Sequence, residues 1–105
     1  MKTQQIKLLG ILGLLSGWGG CRVRDMSLAG AMVLTERKLG VGDKVELKLL
    51  GRDGVQLSFI CAVANASRDH KQGGFKIGVS IAEPQAGSAE HQFLTKLPVL
   101  FAAAL

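Results

Sequence analysis

Apolar residues in this chain recur mostly at every second position, the period of strands that bury one face. Lys44 to Leu50 shows it most cleanly, with Val45, Leu47 and Leu49 on one face and Lys44, Glu46 and Lys48 on the other. Val55 to Ala64 gathers Val55, Leu57, Phe59, Cys61 and Val63, and Phe75, Ile77, Val79 and Ile81 alternate with Lys76, Gly78 and Ser80. Gln5 to Leu15 reads as a first strand turning through Ser16 to Gly20 into a second at Cys21, and Ala31 to Thr35 as a short third. Turn signals separate these runs: Gly40 and Gly42 in ERKLGVGD, Asp53-Gly54 after Leu50, and a polar loop from Asn65 to Gly74. Roughly six strands with turns about every 8 to 12 residues predict a mainly β domain. Closure into a small six-stranded antiparallel barrel, over about residues 5–82, removes the exposed sheet edges.

The period then changes. Ser88 is a helix N-cap, Glu90 lies in the first turn, and Phe93, Leu94 and Leu97 recur at helical spacing. A C-terminal helix is expected over about 88–103, ended or kinked at Pro98. The apolar tail from Pro98 to Leu105 is a candidate for packing on the barrel or for homo-oligomer formation.

One strand breaks its own alternation. In GGCRVRDMSLAGAMV, residues 19–33, Cys21 and Val23 are apolar on one parity, Met26 and Leu28 on the other. A β-bulge at Arg24-Asp25 produces such a switch, because one extra residue turns the strand and re-aims its side chains. Asp25 and Ser27 then point outward together, and Gly30 lets a ligand or a backbone come close. A carboxylate beside a hydroxyl can hydrogen-bond a base edge such as guanine N1–H and N2–H₂. Arg22 and Arg24 are placed to hold phosphate. The structural alternative is that Asp25 and Ser27 cap the bulge and Gly30 serves a turn.

Composition narrows the classes. The chain has 105 residues, enough for one domain spanning residues 1–105, with 14 glycines against 2 prolines, as short strands joined by tight turns require. The formal net charge is +5, and the first 24 residues hold Lys2, Lys7, Arg22 and Arg24 without an acid, which favours an anionic partner. Four Phe, one Trp and no Tyr supply a poor stacking surface, so a nucleic-acid polymer is not the expected partner. Cys21 and Cys61 lack metal-ligand spacing and read as reduced, core-filling thiols of a cytoplasmic chain, with no metal and no cofactor. His70 and His91 stand in a polar loop and on a helix, away from any nucleophile motif, so no enzyme is expected.

MKTQQIKLLGILGLLSGWGGC resembles an export signal ending at Cys21, but Lys7 precedes an apolar run of only Leu8 to Leu15, and Trp18 stands where a small residue belongs. A strand is the better reading of that run.

Asp25-Met-Ser27-Leu-Ala-Gly30, followed by apolar Ala31-Met-Val33, resembles the D-x-S-x-x-G motif of the PilZ family, bacterial receptors for cyclic di-GMP. LGVGDKVELKLL is similar to the family's middle strands, GFKIGVSI to its last barrel strand, and the closing helix falls in the same place; the resemblance runs over about residues 5–97. It implies a PilZ-type barrel binding cyclic di-GMP through Asp25, Ser27 and Gly30, with Arg22 or Arg24 supplying phosphate charge. It further implies a bacterial effector protein of a motility, secretion or polysaccharide system as partner. One departure stands out: binding members carry R-x-x-x-R a little over twenty residues before the aspartate, and MKTQQIK holds only lysines there. Lysine lacks the planar fork and stacking face. The alternative expectation is therefore a degenerate PilZ-like interaction module that works through protein contacts.

Overall fold

A computed structural model describes residues 4–9, 17–50, 54–71 and 73–96. Six strands form in chain order: β1 (Gln4–Leu8), β2 (Trp18–Met26), β3 (Gly30–Thr35), β4 (Lys44–Leu50), β5 (Gln56–Arg68) and β6 (Phe75–Ile81). Every pairing is antiparallel, and the strands close into a barrel in the order β1-β2-β3-β6-β5-β4. β1 completes the ring by pairing with β2 on one side and β4 on the other. The predicted architecture is thus the observed one.

The alternation read from the sequence is what fills the interior. Ile6, Val23, Val33, Val45, Leu47, Phe59, Cys61 and Ile77 are buried on the inner face, Phe59 being the largest of the fully buried side chains. A buried side chain of that size contributes about 2–3 kcal/mol relative to an exposed one.

One short helix follows, α1 (Ala89–Thr95), capped by the Ser88 hydroxyl accepting from the His91 N–H at 3.1 Å. Its place is set by an exposed edge. Pairing between β5 and β6 starts only at Cys61↔Ile81, which leaves the outer side of Gln56 to Ile60 without a neighbouring strand. α1 covers that edge: the Glu90 carboxylate accepts the Ser58 N–H at 2.9 Å, Leu94 is buried, and the Phe93 ring lies 6.2 Å from Phe59. An open ladder position is thereby satisfied rather than offered to another chain.

Several boundaries differ from expectation. β1 ends at Leu8 rather than Leu15; residues 10–16 lie outside the described residues. β2 starts at Trp18 rather than Cys21, because Trp18, Gly19 and Gly20 pair with Lys7, Ile6 and Gln5. Gly19 leaves room for the Arg37 side chain, which lies over it and donates to the Gly17 carbonyl at 2.8 Å. The residues just ahead of Cys21 are accordingly barrel wall.

The Asn65–Gly74 loop is also shorter than predicted, because β5 continues to Arg68. A bulge between Val63 and Asn65 shifts the register, and Asn65 to Arg68 lie past the last β4 rung, Lys44↔Ala62. Pairing with β6 holds them extended without a buried face to mark them. Val55 precedes β5 and is exposed rather than inward. The helix is described from Ala89 to Thr95; the expected continuation over 97–103, across Pro98, lies outside the described residues. The Asp53-Gly54 turn falls partly, and the apolar tail from Pro98 to Leu105 wholly, outside the described residues.

Candidate functional site

β2 and β3 meet across the predicted bulge. The register runs Val23↔Val33 and then Asp25↔Met32, so Arg24 is the extra residue. After it, Met26 turns inward while Asp25 and Ser27 are exposed on the outer wall. The turn Ser27-Leu28-Ala29-Gly30 is closed by the Ser27 N–H on the Gly30 carbonyl at 2.8 Å, with the Ser27 hydroxyl on the same oxygen at 3.4 Å. The Ala29 carbonyl accepts the Ile81 N–H at 2.8 Å, tying the turn to β6. Gly30 allows this closeness: a Cβ there would sit 2.6 Å from the Val79 carbonyl oxygen.

These residues border an open, shallow hollow of about 390 Å³ on the outside of the barrel. Asp25, Met26, Ser27, Gly30, Ala31 and Met32 form one wall, and Gly78, Val79, Ala64 and Asn65 the floor and far wall. The pairing explains why four strands contribute. Asp25↔Met32, Met32↔Gly78 and Gly78↔Asn65 are direct partners, so one row crosses β2, β3, β6 and β5. A parallel row runs Arg22↔Leu34, Leu34↔Lys76 and Lys76↔Ser67, placing two cations beside the first row.

Of the residues picked from sequence, Asp25, Ser27 and Gly30 are brought together in the hollow. Arg22 and Arg24 are exposed on β2 but do not line it. Ser27 has a structural task, bonding within its turn. Asp25 has none: among the described residues its carboxylate has no hydrogen-bond or ion-pair partner, so it does not cap the bulge. Cys21 and Cys61 are free, half-buried and buried respectively, and burial pushes both thiols up to about 12.

Sequence reasoning missed Met32, Lys76, Gly78 and Asn65. Gly78 carried a usable signal, since a glycine inside a strand marks a close approach. Asn65 carried none, because it stands after a bulge in a stretch without apolar alternation.

The fold is a small β-barrel, and its candidate site is a hollow on the outer wall beside a strand bulge. The PilZ domain family profile matches residues 12–95, and the chain belongs to that family. PilZ is a binding domain of the cyclic di-GMP-binding type rather than a catalytic one. Comparison with curated proteins and with solved structures found no match. No helix among the described residues is long and apolar enough to cross a membrane.

Proposed function

We propose that this PilZ domain is a receptor for cyclic di-GMP and relays its level to a bacterial effector protein. The observation that supports this best is the unpaired, outward Asp25 carboxylate, held by the bulge beside Ser27 at the rim of the hollow. Asp25 accepts from guanine N1–H and N2–H₂, the Ser27 hydroxyl adds a polar contact, and Gly30 keeps the turn close to β6. Phosphate charge is supplied from the barrel wall: Arg22 and Arg24, with Lys76 across Leu34 from Arg22. Arg22 can grip phosphate bidentately, whereas Lys76 acts as a point charge.

The lysines at the position of the family's R-x-x-x-R favour a second reading, a degenerate module that keeps the fold and works through protein contacts alone. Isothermal titration of cyclic di-GMP into the chain separates the two. Micromolar binding lost in Asp25→Ala and weakened in Ser27→Ala supports the receptor. Absence of heat at millimolar ligand refutes it and leaves the interaction module.

A further inference from the structure

The far wall of the hollow carries a polar group that the motif does not account for. Asn65 follows the second bulge of the barrel, between Val63 and Asn65 on β5, as Asp25 follows the first on β2. The two bulges face the hollow from opposite sides. Asn65 is exposed, and among the described residues its side-chain amide has no hydrogen-bond partner. It lies flat over Gly78, with both Nδ2 and Oδ1 within 2.6 Å of where a Cβ on Gly78 would stand. Gly78 is therefore the reason the amide can lie along the floor instead of standing off it.

Asp25 and Asn65 end the same cross-strand row. Three strand steps of ~4.8 Å set them about 14 Å apart along the wall, farther than one base edge reaches. A ligand held by both must be elongated.

We infer that Asn65, seated on Gly78, is a second anchor that lets this hollow select a dinucleotide over a mononucleotide, its amide hydrogen-bonding the base distal to the one at Asp25. A carboxamide offers one donor and one acceptor, matching an edge that presents both, as guanine N1–H and O6 do. This rests on the receptor reading proposed above.

Binding of cyclic di-GMP and of GMP to the intact chain, compared with Asn65→Ala, Gly78→Ala and the double variant, tests it. Loss of one neutral hydrogen bond predicts cyclic di-GMP affinity reduced about three- to tenfold in Asn65→Ala, with GMP affinity unchanged. Gly78→Ala displaces the flexible amide and is expected to give a similar loss, and the double variant no further one, since both act on one contact. Equal affinity of wild type and Asn65→Ala for cyclic di-GMP overturns the inference while leaving the receptor standing. So does an equal loss for GMP, which marks a general change of the site. No binding by the wild type overturns both. Circular dichroism and melting of Asn65→Ala serve as the folding control, because an exposed, unpaired amide is dispensable to the barrel.

Discussion

Gly30 is the motif residue whose role the packing decides most sharply. In Gly30→Ala the new methyl would sit 2.6 Å from the backbone oxygen of Val79, well short of the 3.4 Å at which ordinary contact begins. The obstacle is a carbonyl within the β3–β6 ladder, where Gly30 pairs with Ser80 and Ala31 with Val79, so no rotamer change relieves it. The strands must part by several tenths of an ångström. Overpacking of this kind costs about 1–3 kcal/mol, and removing a strand glycine returns about 0.5–1 kcal/mol. The net expectation is a loss of about 1–2 kcal/mol, read as a fall of about 0.5–1.5 M in the urea midpoint and about 5–15 °C in Tm. Unfolding followed by Trp18 fluorescence measures it. Gly40→Ala is the control: its Cβ meets Asp43 at an ordinary 3.6 Å, and a change within about 0.5 kcal/mol is expected. A Gly30→Ala midpoint at or above wild type would refute the steric argument and assign Gly30 to the ligand alone.

Three further outcomes follow from the core and the covered edge. With both thiols pushed up to about 12 from an ordinary value near 9, native protein at pH 8 should react with a disulfide reagent roughly tens of times more slowly than unfolded chain, the smaller thiolate fraction outweighing its greater nucleophilicity; equal rates would show that the thiols are accessible. The same shifts make stability fall above about pH 9, because the unfolded chain ionises its thiols first and the folded state retains the protons until about pH 12. Glu90→Ala leaves the Ser58 N–H without its acceptor and loosens α1 from β5, costing about 1–2 kcal/mol. Faster hydrogen exchange at Ser58 checks this, and unchanged protection would mean the helix is held by Phe93 and Leu94 alone.

Much of the fold was legible because its cause is local. A period of two over Lys44–Leu50, Leu57–Val63 and Phe75–Ile81 names the buried face of each strand directly, and six such runs with turns between them leave a closed sheet as the simplest burial. The bulge at Arg24 was equally readable, since a register slip exchanges the faces and leaves a visible break in parity. What stayed hidden lay where the local signal stops. The second bulge, at Ala64, falls past the last β4 rung, so the residues after it, Asn65 to Arg68, bury nothing and Asn65 looks like loop. The closeness of Asn65 and Gly78, the Arg22–Lys76 row and the docking of Glu90 on Ser58 depend on which strands become neighbours, and residues 76 and 22 meet only through β3.

Sequence alone therefore determined most of the inward set of β4, β5 and β6, the bulge that turns Asp25 and Ser27 outward, and the helix start at Ser88, all effects carried by a few consecutive residues. The tertiary structure decided the rest: the ring order β1-β2-β3-β6-β5-β4 sets side by side segments that sequence separates, and a hollow spanning four strands exists only once β2, β3, β6 and β5 have paired.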